Sequence, residues 1–200
     1  LSLEPTKLHQ RERGRLLVLD GASGVGKSTL ALTLLADPEL DLRFVRRYTT
    51  RLPRPNDSEE GNYHFVSPET FGRFVRRGEL AEYRHFEFGM SYGLPKREVS
   101  RILTQGHNAL AIINLGNIVQ VREHYPDSIA ILITASQETI ERRLRARGLE
   151  EEKIQERLAN ARLAARLAHL YDTVLDTDSV GVEEATALLK SFLVKCLRST

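Results

Sequence analysis

The sequence predicts a three-layer α/β fold in which helices cover both faces of a parallel sheet. Short apolar runs that suit buried strands alternate with longer amphipathic stretches that suit helices. The predicted core strands are 16–19, 109–113, 129–133 and 173–175. The predicted helices are 28–35, 68–77, 96–105, 118–123, 137–145, 151–170 and 182–197. With 200 residues, 41% of them hydrophobic, the chain is long enough for one such domain with a buried core.

The first predicted strand leads into a complete phosphate-binding loop. Residues 21–28 read Gly-Ala-Ser-Gly-Val-Gly-Lys-Ser, which matches the pattern G-x-x-x-x-G-K-[ST] between a strand and a helix. Its glycines let backbone N–H groups point at a polyphosphate, and the helix start adds a partial positive charge. We expect Lys27 to reach the outer phosphates and the Ser28 hydroxyl to bind Mg²⁺. The nucleoside triphosphate is then held by Gly21, Ala22, Ser23, Gly24, Val25, Gly26, Lys27, Ser28 and Thr29.

Two stretches depart from the simple alternation and divide the domain. Residues 43–95 are rich in aromatics, prolines and short extended runs, which predicts an acceptor-binding insert between core segments 15–42 and 96–200. Residues 142–157 are rich in Arg and Glu. They suit either a solvated helix pair with ion pairs or a mobile lid that brings guanidiniums to transferring phosphates, and the nearby phosphate loop favours the lid. Residues 1–14 are polar and charged, as in a flexible leader.

Four arginines occur within nine residues at the start of this insert, at positions 46, 47, 51 and 54. Prolines flank Arg54 and stiffen it. Arg51 and Arg54 can each bind a phosphate bidentately, which predicts an acceptor that already carries a phosphate. Tyr63 is placed to donate its hydroxyl to the same group. A basic surface loop is the alternative.

The composition limits the classes of binding partner that the chain can have. The net charge of +2 gives no case for nucleic acid or a membrane surface, and no apolar run approaches the length of a membrane span. The single cysteine excludes an internal disulfide framework. We therefore expect a cytoplasmic monomer or homodimer whose partner is a small phosphorylated substrate.

In order and spacing, these motifs resemble guanylate kinase from Leu16 to about Leu189. The likeness includes Thr-Thr-Arg-Leu-Pro-Arg-Pro at 49–55, Tyr-His-Phe-Val-Ser at 63–67 and Arg-Leu-Arg-Ala-Arg-Gly at 143–148. It implies a P-loop NTPase fold with ATP and Mg²⁺ as cofactors. The positions that match those holding the acceptor phosphate are Arg51, Arg54, Tyr63 and Tyr92. The resemblance also matches Glu82 with the carboxylate that reads the guanine edge, and Arg143, Arg147 and Arg157 with the lid and phosphate-clamping arginines.

The chain departs from this family at several acceptor-site positions. Leu94 stands where a Ser or Thr is usual, Asn114 where an acid is usual, and Arg47 where a serine is usual. On the adenine side, Thr177 replaces an Asn. Asn114 offers an amide where guanine's donors prefer a carboxylate, which weakens guanine recognition. Arg47 and Asn114, which we include among the substrate-binding residues, resemble ribose 1,5-bisphosphate phosphokinase instead.

Three functions remain open at this point. The first is ATP-dependent transfer of the γ-phosphoryl group to GMP, giving GDP. The second is the same transfer to ribose 1,5-bisphosphate, giving phosphoribosyl diphosphate. The third is a non-catalytic interaction domain that resembles guanylate kinase, against which the intact Lys27 and the lid arginines count.

Asp20 ends the first predicted strand, directly before the phosphate loop. Because the usual acids of the central strand are missing, Asp20 can supply a carboxylate near Lys27 or the water shell of Mg²⁺. The alternative is an aspartate that caps its own turn.

Overall fold

The computed structural model of the chain describes residues 14–53, 61–86, 89–113, 116–178 and 180–198. All of the predicted leader except Gly14 therefore lies outside the described residues. Nine strands are described: β1 (Leu16–Asp20), β2 (Leu42–Phe44), β3 (Arg47–Thr49), β4 (Tyr63–Phe65), β5 (Leu80–His85), β6 (Ser91–Pro95), β7 (Asn108–Ile112), β8 (Ile129–Thr134) and β9 (Thr173–Asp176). Seven α-helices accompany them: α1 (Lys27–Leu35), α2 (Pro68–Arg76), α3 (Lys96–Thr104), α4 (Ile118–His124), α5 (Gln137–Arg145), α6 (Glu151–Leu167) and α7 (Val182–Arg198).

The larger sheet is parallel, as the sequence predicts. Its strand order is β2-β7-β1-β8-β9, and every neighbouring pair runs parallel. The four predicted core strands are confirmed within one residue at each end, and β2 is an additional edge strand. Because β1 lies at the centre, the loop that follows it emerges in the middle of the carboxyl edge of the sheet, where ligands of open α/β sheets bind.

Alternating residues of the central strand β1 contribute to a hydrophobic cluster on each face of this sheet. Leu17 and Leu19 belong to a buried cluster with residues of α1 and α7. Leu16 and Val18 belong to a second buried cluster with residues of α3 and α4. Since successive side chains of a strand point to opposite faces, one strand serves both clusters. This arrangement confirms the predicted three layers.

A second, smaller sheet lies within the predicted acceptor-binding insert. Its strand order is β4-β3-β6-β5; β3 and β4 run parallel, and the other two pairs run antiparallel. α2 follows β4 and begins after Ser67, whose hydroxyl accepts a hydrogen bond from the amide of Thr70 at 3.1 Å. Pro68 at the first helical position is compatible with this start, because that position needs no hydrogen-bonded N–H.

α5 and α6 form a helical pair next to the phosphate loop. α5 begins after Ser136, whose hydroxyl accepts from the amide of Thr139 at 3.1 Å. Arg145 at the end of α5 pairs with Glu141 at 2.7 Å and with Glu151 of α6 at 2.6 Å. These side chains are exposed, so each pair contributes little on its own. Across the part of the chain that the structure describes, no helix is long and apolar enough to span a membrane.

Candidate functional site

The loop between β1 and α1 folds as a compact turn. Gly24 and Gly26 have φ values of 94° and 105°, a left-handed backbone that favours glycine. Within this turn the Lys27 ammonium donates hydrogen bonds to the carbonyl oxygens of Gly21 at 2.6 Å and Ala22 at 2.8 Å. Ser28 is exposed in the first turn of α1. The loop therefore leads directly into a helix N-terminus, the part of a helix that favours anions.

Lys27 lies in a strongly cationic environment. Burial lowers the pKa of its ammonium to about 8; Asp20 acts in the opposite direction, and the charges of three arginines add to the lowering. Two of these arginines come from the helical pair and the third from β3: they are Arg157, Arg147 and Arg47. Four cationic groups from three parts of the chain thus act on one space, which favours a polyanionic ligand there.

The helical pair contacts the phosphate loop through two arginines. From α5, Nη1 of Arg143 lies 3.3 Å from the carbonyl oxygens of Gly24 and Val25 and 3.1 Å from the Thr177 hydroxyl. From α6, Nη1 of Arg157 donates to the Ser23 hydroxyl. Arg147 is exposed in the turn between the two helices. Since Arg147 also acts electrostatically on Lys27, the three predicted lid arginines all lie near the phosphate loop.

Aromatic rings surround a buried arginine beside the small sheet. The Cζ atom of Arg51 lies 5.4 Å from the ring centroid of Tyr63 and 5.2 Å from that of Phe65. Tyr63 in turn contacts Tyr92 edge-on at 5.6 Å. The Arg51 Nη1 donates to the carbonyl oxygen of Leu52 at 2.8 Å. The small sheet thus brings together Arg51, Tyr63 and Tyr92, three residues that are distant in sequence.

Glu82 is buried in a polar network rather than open to solvent. Its Oε1 accepts from Nη2 of Arg47 at 2.5 Å, and its Oε2 accepts from Nδ2 of Asn117 at 2.6 Å. The Arg47 guanidinium also lies over the ring of Tyr92, 5.6 Å from its centroid. Leu94 pairs with Glu82 across the sheet and is fully buried. Of the departures noted above, Arg47 therefore contacts the carboxylate of Glu82, and Leu94 is the cross-strand neighbour of the same residue.

Asp20 is fully buried at the end of β1. Its carboxylate accepts from the amides of Gly21 at 2.6 Å and Gly116 at 3.3 Å and from the phenol of Tyr171 at 2.5 Å. Burial raises the pKa of this carboxyl, while these hydrogen bonds and the charge of Lys27 oppose the rise. Asp20 thus both caps its own turn and acts electrostatically on Lys27.

Two predicted substrate residues, Arg54 and Asn114, lie outside the described residues.

Sequence reasoning missed the contact of Asn117 with Glu82. The available signal was its place shortly after β7, the strand beside β1, whose carboxyl end lies at the same edge of the sheet as the phosphate loop. It also assigned no role to Tyr171, whose contact with Asp20 spans 151 positions of sequence.

A phosphate loop covered by an arginine-bearing helical pair, beside a separate sheet with its own buried arginine, defines a P-loop phosphotransferase. The sequence matches the guanylate kinase family over residues 13–196. The chain belongs to the guanylate kinase family, and it is a kinase.

Relatives and a solved structure agree with this assignment. The guanylate kinase of Synechococcus sp. strain JA-3-3Ab is 40% identical over 181 residues, which cover 88% of this chain and 82% of that protein. That of Mycoplasma mycoides is 37% identical over 171 residues, which cover 84% of this chain but 57% of that longer protein. The crystal structure of guanylate kinase from Anaplasma phagocytophilum matches with a TM-score of 0.75 and 26% identity, covering 94% of this chain and 89% of that one.

Proposed function

We propose that this protein transfers the γ-phosphoryl group of ATP to the phosphate of GMP, giving ADP and GDP. The observation that carries the proposal is the position of Arg47. Its charge acts on Lys27 of the phosphate loop, while its guanidinium pairs with Glu82 of the small sheet. A triphosphate on the loop and an acceptor on the small sheet would therefore lie next to each other, as direct phosphoryl transfer requires.

On the donor side, the loop residues 21–29 would hold the phosphates of ATP. Lys27 would exchange its contacts with the loop carbonyls for the β- and γ-phosphate oxygens. The exposed Ser28 hydroxyl is a suitable oxygen ligand for Mg²⁺, which supplies charge neutralisation between the phosphates when it is bound.

On the acceptor side, the sheet of β3, β4, β5 and β6 would act as the GMP-binding insert. Arg51 would bind the acceptor phosphate together with Tyr63, whose ring its guanidinium contacts, and with Tyr92, whose ring contacts that of Tyr63. Arg54 is proposed to join them. An ionised carboxylate has about four lone-pair sites, of which two on Glu82 are occupied. The others can accept hydrogen bonds from N1–H and the 2-amino group of guanine.

Residues 142–157 would serve as the lid that completes the site. Arg143 and Arg157 already contact the phosphate loop, and Arg147 acts electrostatically on Lys27. Phosphoryl transfer needs positioning and charge stabilisation more than covalent chemistry from the protein. These guanidiniums would stabilise the charge on the transferring group and exclude water from it.

The relatives above support GMP as the acceptor and do not support the other two functions considered. An ADP-release assay across GMP, dGMP, AMP, UMP and ribose 1,5-bisphosphate tests the proposal. GMP should give the highest kcat/KM, and Lys27→Ala should abolish turnover with every acceptor. Higher turnover with the sugar bisphosphate or with AMP than with GMP would contradict it.

A further inference from the structure

We propose that Arg47 is a second base-reading residue of the acceptor site, which donates a hydrogen bond to O6 of guanine beside Glu82. The inference rests on the proposed function, because it assigns a specificity contact for the same acceptor.

Arg47 is held in one orientation within the site. Its side chain is 3% exposed, its Nη2 lies 2.5 Å from Glu82, and its guanidinium lies over the ring of Tyr92. A long side chain that is already ordered loses little further conformational entropy when it binds a ligand. Arg47 is therefore pre-organised for recognition.

The guanidinium also has donor capacity that the protein leaves unused. An arginine carries five N–H donors and no acceptor. Among the described residues, the Nε of Arg47 is buried and has no hydrogen-bond partner. Because a buried donor without an acceptor is costly, such groups in binding sites indicate a missing acceptor. A ligand that presents an acceptor oxygen beside Glu82 would supply it.

Guanine presents such an oxygen in the required place. Its O6 is adjacent to N1–H on the same edge of the base, so a carboxylate that accepts from N1–H needs a donor at its side. Arg47 is bound to one carboxylate oxygen of Glu82 and Asn117 to the other, so donors flank it. Arginine reads the O6 edge of guanine in nucleic acids by the same chemistry. Leu94, which pairs with Glu82 in the sheet, has no hydroxyl to donate.

Adenine would be rejected by the same residue. Its 6-amino group presents a donor where guanine presents O6, and a donor facing a guanidinium leaves both groups unpaired. In this account Arg47 supplies the discrimination at position 6, while Glu82 supplies it at N1 and the 2-amino group.

The test compares kcat/KM at pH 7 for the three substrates GMP, 6-thio-GMP and IMP. In 6-thio-GMP a sulfur atom, which is a weak hydrogen-bond acceptor, replaces O6. IMP keeps O6 but lacks the 2-amino group. Wild-type protein should prefer GMP to 6-thio-GMP by at least about tenfold, the range of a hydrogen bond to a charged group. In Arg47→Met this preference should fall to about one, while the preference for GMP over IMP should stay unchanged. Ratios within one variant do not depend on the fraction of folded protein.

Arg43→Ser serves as the matched control, because it removes a nearby exposed arginine whose partner is Asp41. It should leave both ratios unchanged.

If Arg47→Met fails to fold, Arg47→Gln removes the Nε donor while keeping an N–H group for Glu82. An unchanged ratio of GMP to 6-thio-GMP in both variants would overturn the proposal, as would a rise in kcat/KM for GMP, which would show that Arg47 obstructs the base. Absence of GMP turnover in the wild type would instead contradict the proposed function and remove this inference with it.

Discussion

Nη2 of Arg47 lies 2.5 Å from Oε1 of Glu82, and both side chains are almost fully buried. The two residues come from β3 and β5, which β6 separates in the small sheet, so the ion pair spans three strands. A buried charge that loses its partner is strongly destabilising, because it is removed from water without compensation. Each of the two side chains therefore depends on the other for the stability of the small sheet.

Removal of either Arg47 or Glu82 alone should lower the free energy of unfolding much more than removal of both. We expect Arg47→Met and Glu82→Leu each to lower the free energy of unfolding by roughly 3–5 kcal/mol, and the double variant to recover most of this loss. Urea unfolding of the four proteins provides the double-mutant cycle. Strictly additive effects would show that the two side chains do not interact.

The protonation state of Lys27 should control nucleotide binding at mildly alkaline pH. Since the pKa of this ammonium is lowered to about 8, it loses its proton as pH rises through that value. Phosphates bind the charged form, so ATP binding above pH 8 should take up a proton, and the affinity should fall as pH rises. Calorimetry in buffers of different ionisation enthalpy measures this uptake. Lys27→Arg keeps its charge and should take up none; uptake that persists in this variant would exclude Lys27 as its source.

Catalysis should be more sensitive to Lys27 than to any other single loop residue. Lys27→Ala should lower kcat/KM, which corresponds to a loss of about 3 kcal/mol or more of transition-state stabilisation. This is the effect expected when one preorganised charge-stabilising donor is removed. Circular dichroism should show an unchanged fold. A variant that keeps more than about a tenth of wild-type activity would argue against the role given to this residue.

Arg51 should affect the acceptor and not ATP. Arg51→Ala removes a guanidinium that is held between Tyr63 and Phe65, and we expect KM for GMP to rise about 10- to 100-fold, the range of a charge-assisted contact. KM for ATP should stay within about twofold. Arg51→Lys should be intermediate, because it keeps the charge without the bidentate geometry. Loss of ATP affinity with normal GMP binding would show that Arg51 binds ATP, and it would contradict the assignment of Arg51 to the acceptor.

Asp20 should give the protein a distinctive dependence of stability on pH. Burial raises the pKa of this carboxyl above its ordinary 3.8, so above pH 3.8 the folded state holds this proton more tightly than the unfolded state. The contribution of Asp20 to stability is therefore complete below pH 3.8 and is lost as pH rises through the folded-state pKa. Urea unfolding from pH 4 to 8 should show this decline in the wild type and a flatter profile in Asp20→Asn. The exposed Asp127→Asn is the charge control and should follow the wild type.

Local patterns in the sequence predicted the elements far better than the contacts between them. α5 occurs over the predicted residues 137–145, because a capping serine and an amphipathic run are both local signals. β2 was missed, since its three residues are too few to show a period. The resemblance indicated Glu82, but the side chains that occupy its carboxylate could not be predicted. Arg47 and Asn117 each lie 35 positions away from it, and only the folded sheets bring them together.

Transfer of a labelled γ-phosphoryl group from ATP to GMP tests the central claim most directly. The wild-type protein with Mg²⁺ and γ-³²P-labelled ATP should form labelled GDP from GMP, and Lys27→Ala should form none above background. GDP can be separated chromatographically from inorganic phosphate and from any labelled phosphoribosyl diphosphate made in a parallel reaction with ribose 1,5-bisphosphate. Labelled GDP as the dominant product would support GMP as the acceptor. Labelled phosphoribosyl diphosphate without labelled GDP, or no transfer to either acceptor, would contradict the account.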